Sequence, residues 1–320
     1  MPLFSVIVPH TDDTHLFDNT LASVLRSKDS ETEVVVVHNG AYKDPYGLDA
    51  EVRFASTGRE AGLAGMVNRG IRHADGEFVA IIRPGIELPD NWQAEIAENF
   101  CNRSIGSVSP LIVDASDRRK LVAAGVNFGR GLNRRIDGQG KRNASRVLKH
   151  LRPAGPTSWA AFYRRDVLAE IGDLDEQLEE GYLDLDLALA AQSLGYLSKM
   201  ASHCVLAIER PFLITREASL PHGESAHRAF TRHRPEASTG DRMLSIIADG
   251  ITGVFRTSMF THAWQRLAAR HSLDIDRLFA RRIARVIDDR KLERKTATSG
   301  SPVAGRIEPE RSVRSHRRAA

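Results

Sequence analysis

Cysteine is nearly absent. The 320-residue chain has two, Cys101 and Cys204, in no disulfide-framework or metal-ligand spacing. That excludes a stapled secreted scaffold and a zinc ribbon, and implies reduced thiols in a cytoplasmic protein. A leader is lacking too: Leu3 to Val8 already reads as a buried strand, with no charged stretch before it. No apolar run can span a bilayer, since the most apolar late segment, Leu244 to Phe255, is short and carries Asp249. The 12 histidines show no metal-ligand pattern, and His222, His227 and His233 fall in a polar, surface-like stretch. What remains is the composition of a soluble globular protein, long enough for one large α/β domain or two smaller ones.

Charge is unevenly spread. Residues 251–320 hold 16 Lys+Arg against 7 Asp+Glu, a local net of +9, which leaves residues 1–250 with 29 against 34, a net of −5. An acidic body and a basic tail have different partners or different jobs.

The first 110 residues alternate strand and helix at βαβ spacing. Leu3–Val8, Glu33–Val37, Val52–Ala55 and Phe78–Ile82 read as strands. Leu16–Leu25, Ala61–His73 and the stretch from Pro89-Asp90 to Phe100 read as helices. Gly62, Gly65 and Gly70 weaken the second helix but let it approach a neighbouring backbone or ligand closely. Such a sheet binds ligands beyond the carboxyl ends of its strands, here near His10, His38–Asp44 and Arg83–Glu87. From Ser107 the pattern changes. Val108–Val113 is a strand, Val122–Phe128 with the basic run Gly129–Arg146 a hairpin or flexible insertion, and Gly155–Tyr163 a small-residue strand. A helix to Ile171 and a last strand around Cys204–Ile208 follow.

Between them lies the most acidic stretch, Glu179-Glu180-Gly-Tyr-Leu-Asp184-Leu-Asp186-Leu187, running into a helical pattern through Leu194. Such a loop can hold a general base where substrate reaches it, or it can simply cap the helix.

Ser5-Val-Ile-Val-Pro9, Val34-Val-Val-Val-His-Asn-Gly40, Ala61-Gly-Leu-Ala-Gly-Met-Val-Asn-Arg-Gly-Ile71 and Ala74-Asp-Gly-Glu-Phe-Val-Ala-Ile-Ile82 resemble the opening of the family 2 inverting glycosyltransferases. Arg164-Arg165, Ile171-Gly-Asp-Leu-Asp-Glu176 and Tyr182-Leu-Asp-Leu-Asp-Leu187 through Gly195-Tyr196 continue the series in the family's order, so the resemblance covers about residues 3–210. It implies a GT-A-like (Rossmann-like) α/β fold with a mostly parallel sheet. Residues 1–110 would be its nucleotide-sugar half and 111–210 its acceptor half. The reaction implied moves a sugar from a nucleotide-sugar donor to a hydroxyl of a carbohydrate, lipid-linked or peptide acceptor with inversion, as in making cell-envelope polysaccharide.

Carried over residue by residue, Asp184 is the base and Asp186 a cap or loop support. Pro9, His38, Asn39, Gly40, Gly62, Asn68 and Arg83 lie on the donor side, with Trp159, Asp175, Glu176 and Asp186 on the acceptor side. Asn68 also reads as an ordinary helix polar residue, Trp159 as a core aromatic and Asp175-Glu176 as a solvated turn. The departures matter. The family's Asp-x-Asp, which holds a divalent manganese or magnesium ion at the end of the fourth strand, is replaced by Arg83-Pro84-Gly85, so no metal ligand is assigned. His38 stands for the base-contacting Asp, Ile208 for a metal-contacting histidine and Ala190 for an arginine. Two readings stay open. Arg83 replaces the metal as a fixed cation, helped by Arg59 and Arg69, or the donor site has decayed into a binding or scaffold module.

Beyond Pro211 the resemblance fades into a helical extension over 211–290. Met243–Val254 and Met259–Ala269 read as helices, and Leu273–Ile287 is amphipathic with arginines on its polar face. Such a helix packs on its own domain or lies peripherally on an anionic membrane. Residues 291–320 read as a disordered basic tail, and without a recognition fold no nucleic-acid partner is expected.

Overall fold

The structure is a computed structural model, and it describes residues 2–10, 13–40, 42–129, 132–219, 223–234, 240, 279 and 281–291. The helices read over 243–254 and 259–269, His222 and the tail beyond 291 lie outside the described residues.

The chain opens with β1 (Phe4–Pro9), α1 (Thr14–Ser27), β2 (Thr32–His38), β3 (Arg53–Ser56), α2 (Leu63–His73) and β4 (Phe78–Ile82). These four strands are parallel, with β1 central between β2 and β4 and β3 outside β2. β5 (Ile86–Glu87), α3 (Trp92–Asn99), β6 (Ile105–Asp114), β7 (Leu121–Ala123) and a hairpin of β8 (Val126–Phe128) and β9 (Arg134–Ile136) follow. Then come α4 (Ser145–Leu148), β10 (Ala160–Arg164), α5 (Arg165–Ile171), α6 (Glu180–Ser193), β11 (Leu197–Ile208), α7 (Phe212–Ser219) and α8 (Gly223–His233). The sheet order is β3-β2-β1-β4-β10-β6-β11-β5, with β7 paired to β6. β10 runs antiparallel between β4 and β6 and ties the first half of the sheet to the second.

Every residue of β1 is buried, because helices cover both faces of the sheet. Its alternation divides the core. Phe4, Val6 and Val8 meet Phe17, Leu21 and Trp92 on one face, while Ile7 meets Leu63, Val67 and Leu187 on the other. Gly70 is required by that second contact, since a Cβ there would lie 2.4 Å from Ile7 Cγ2. The glycine-bearing helix does approach closely at Gly70, but what it meets is the Ile7 side chain and not a backbone or ligand.

One expectation changes. Asp184 and Asp186 do not sit in a loop, for α6 begins at Glu180. Leu183, Leu187, Ala190 and Leu194 pack toward the sheet, and Tyr182, Leu185, Ala188 and Leu189 pack toward α8 and the β8–β9 hairpin. A helix covered on both sides is apolar all round, and its two aspartates are consequently buried. β11, read as a short strand around Cys204–Ile208, starts seven residues earlier and runs parallel to β6 through two register shifts.

The segment over 281–291 is helical. Phe279, Ile283, Val286 and Ile287 pack against the α2–α6 face, and Arg290 donates to the Leu194 carbonyl at 2.6 Å. Within the described residues, the amphipathic stripe is thus used on the chain's own domain. No helix among the described residues is long and apolar enough to cross a membrane.

Burial separates the two thiols. Cys101 is exposed, whereas Cys204 is buried and its thiol is pushed up to about 12 by desolvation, with Glu95 adding. Since the thiolate is the nucleophile, iodoacetamide should modify Cys101 in the native protein and spare Cys204 until the fold is opened. Peptide mass spectrometry reads this directly, and equal labelling of both would contradict the packing of β11.

Candidate active site

The carboxyl ends of β1, β2 and β4 lie along one edge of the sheet, as parallel pairing requires, and that edge is where such sheets bind ligands. On its β2 side, the Gly40 N–H donates to His38 Nδ1 at 3.1 Å, and burial pushes the His38 imidazole below its ordinary value. A Cβ at Gly40, Gly58 or Gly62 would meet nothing within 4 Å. That flank is open around Gly40, Gly58 and Gly62, with His38 and Asn39 half-buried beside it and Pro9 buried beneath.

The β4 end is crowded. Arg83 donates its backbone N–H to the Trp159 carbonyl at 3.0 Å, and its guanidinium lies 4.1 Å over the Trp159 ring. Nη2 reaches Glu180 at 2.8 Å and Nη1 reaches Glu217, on α7, at 3.0 Å. Glu217 also accepts from the Trp159 indole N–H at 3.0 Å and pairs with Arg134 at 3.5 Å. Arg134, from β9, grips Asp184 with two bonds of 2.7 and 2.6 Å. Burial alone would lower the Arg134 pKa, but the Asp184 charge and hydrogen bonds raise it. The Ser158 N–H gives Asp184 a third bond at 3.1 Å.

This geometry revises several expected roles. The Asp184 side chain has no exposure and accepts from Arg134 on both oxygens, so in this conformation it cannot reach a substrate proton. Asn68 is 1% exposed and clamps the 174–176 turn onto α2. It donates to the Leu174 carbonyl at 3.0 Å and to Glu176 at 3.1 Å, and accepts from the Leu174 N–H at 2.7 Å. It positions that turn, and both its N–H groups are used there. Asp175 pairs with Arg228 at 2.7 Å and Arg232 at 3.3 Å, and Asp186 pairs with Arg232 at 2.9 Å and His233 at 2.7 Å. Both aspartates therefore fasten α8, and their side chains are buried in doing so. His227 and His233, expected on the surface, belong to α8, and His233 is itself buried at 3% side-chain exposure.

The docking of α8 carries a pH dependence. Burial would raise the Asp186 carboxyl, but the hydrogen bond and charge of His233 and the Arg232 guanidinium outweigh it and hold it below the ordinary value. A carboxyl depressed in the folded state adds stability above its unfolded pKa of about 3.9 and loses it as pH falls through the folded value. Amide protection over Gly223–His233 should thus hold at pH 5–7 and weaken below about pH 4. Hydrogen-exchange protection unchanged at pH 3 would contradict this.

A divalent ion does not fit at the β4 end. A guanidinium occupies the position, and Glu180, Glu217 and Asp184 each already pair with one. Among the described residues, no three His, Cys, Asp or Glu side chains gather as ligands.

A family model described as "Glycosyl transferase family 2" matches residues 5–172, just over half the chain. The chain belongs to glycosyl transferase family 2. Its sheet is the mixed α/β sheet of the GT-A type, and among solved structures it resembles "GalNAc-T7 with UDP, GalNAc and Mn2+" at a TM-score of 0.50 and 17% identity, covering 74% of this chain and 51% of that one. The chain thus spans about half the length of that structure. A mannosyltransferase from Pyrobaculum calidifontis, in complex with GDP-Man and Mn2+, matches at 0.48 and 16% identity over 83% of this chain and 86% of its own. No curated protein sequence matches this family 2 chain. Arg134, Glu217, Arg228 and Arg232, which pair with Asp184, Arg83, Asp175 and Asp186 respectively, carry no local motif. Arg134 lies within the basic run 129–146, which charge alone made visible.

Proposed function

We propose that this family 2 protein transfers a sugar from a nucleotide-sugar donor to an acceptor hydroxyl, with inversion and without a divalent ion. The observation that carries the proposal is Arg83, a buried guanidinium stacked on Trp159 at the strand end where the family binds its metal. A fixed cation aimed at a leaving diphosphate stabilises the charge that develops as the glycosidic bond breaks. The open flank at His38, Asn39, Gly40 and Gly62 would receive the nucleoside. The GalNAc-T7 structure contains UDP, which supports a nucleoside diphosphate sugar as the donor class.

In a single displacement the acceptor oxygen attacks the anomeric carbon, its proton passes to a carboxylate, and the nucleoside diphosphate leaves from the opposite side. Asp184 occupies the family's base position. Glu180 lies one turn nearer the start of α6, on the same face of the helix, and its side chain is 47% exposed where that of Asp184 has none. Geometry therefore favours Glu180 as proton acceptor. A panel of nucleotide sugars turned over in EDTA tests the assignment, with the product anomer read by proton NMR. Inverted product, abolished by Glu180→Gln, is expected. Retained configuration, or loss of activity in Asp184→Asn with none in Glu180→Gln, would overturn the stereochemistry or the choice of base.

A further inference from the structure

Three hydrogen-bond donors from separate parts of the chain converge on one carboxylate. They are the Arg83 guanidinium after β4, the Arg134 guanidinium on β9 and the Trp159 indole N–H before β10. The carboxylate, Glu217, comes from α7, beyond the last sheet strand, 134 residues from Arg83. It lies between the strand end where the family holds its metal and the aspartate at the family's base position, where a departing phosphate would pass.

We propose that Arg83, Arg134 and Trp159 form a binding site for the donor's diphosphate, and that Glu217 on α7 fills this site in the free protein as an internal competitor. The proposal rests on the nucleotide-sugar reading above and adds an occupant that must leave.

Three features support it. First, Arg83 is 8% exposed at its side chain, and its Nε–H is buried with no acceptor. A carboxylate has two oxygens and leaves that donor unfilled, whereas a diphosphate carries more oxygens to fill it. Second, charge opposes any incoming anion while Glu217 is seated. Among the described residues the Arg83 and Arg134 guanidiniums already pair with Glu180, Glu217 and Asp184. Neutralising Glu217 removes one of those three negative charges. Third, α7 is held unevenly. Ile214 is buried, but Phe212 is 55% exposed, and the Arg210–Asp13 pair just before the helix is 42% and 38% exposed. Exposed pairs of that kind contribute little. Moving α7 therefore breaks the Leu213 and Ile214 contacts with the core and the Glu217 bonds.

The experiment titrates the full chain and its Glu217→Gln variant with inorganic pyrophosphate, UDP and GDP in EDTA, by calorimetry. Glu217→Ala serves as a second variant should the amide hold the site shut by its own hydrogen bonds. The site predicts about tenfold or greater tightening for pyrophosphate and nucleotide when Glu217 is neutralised, equal to ~1.4 kcal/mol. Arg83→Met in the same background should cancel it. Equal affinity in wild type and both variants would overturn the proposal. Glucuronate is titrated alongside, and tightening for it but not for pyrophosphate would also overturn the proposal, making the site one for a sugar carboxylate. Tighter pyrophosphate binding with no nucleotide-sugar turnover would keep the site and sink the nucleotide-sugar reading. Turnover without tightening would do the reverse.

Discussion

Arg134→Met is expected to cost about 3–5 kcal/mol of unfolding free energy, the usual penalty for stripping one partner from a buried ion pair. Asp184 has no exposure, and the substitution leaves it with the Ser158 N–H alone. No water can take the place of two charge-assisted bonds without opening the contact between α6 and the β8–β9 hairpin. A loss of this size is a large share of a domain's total stability. The companion Arg134→Met/Asp184→Leu should recover most of it, because the uncompensated charge, more than the missing attraction, sets the cost. Urea unfolding at pH 7 measures both. A single-variant loss below about 1 kcal/mol would fall in the range of solvated pairs and would contradict the burial of this one.

Arg83→Met should lower turnover by 100-fold or more, comparable to deleting a preorganised donor to a developing anion. Its effect on folding should be smaller than that of Arg134→Met. Glu180 is half exposed and can relax into water, and Glu217 keeps Trp159 and Arg134. Arg83→Lys should rescue only part, since an ammonium offers neither the two-pronged fork nor the planar stack on Trp159. Steady-state kinetics on the substrate found to turn over separates these outcomes. Full activity in Arg83→Met would remove the guanidinium from any part in leaving-group stabilisation.

The first half of the fold was legible because its signals are local. A run such as Val34–Val37 between turn residues is a buried strand whatever lies beside it, and Arg83 sits at a strand end by simple counting. The same counting put Asp184 and Asp186 on neighbouring positions of one acidic stretch. It could not show that the stretch is already helix, or what neutralises it. The partner of Asp184 is 50 residues away, those of Asp186 are 46 and 47 away, and Glu217 meets Trp159 across 58. Ion pairs at such separations leave no periodicity. Family likeness placed those aspartates in the acceptor cleft, and the arginines that bury them came from segments read as loop or surface. Asn68 was singled out, but its clamping role was hidden for the same reason: its amide answers a turn 106 residues downstream.

The central claim is that a guanidinium, not a metal ion, receives the donor diphosphate. It is tested most directly by thermal stabilisation of the full chain with a panel of nucleotide sugars, run with manganese, with magnesium and with EDTA. Binding to the folded state must raise the melting temperature. The account predicts a shift of the same size under all three conditions, lost in Arg83→Met. A shift that needs manganese or magnesium and survives Arg83→Met would contradict it.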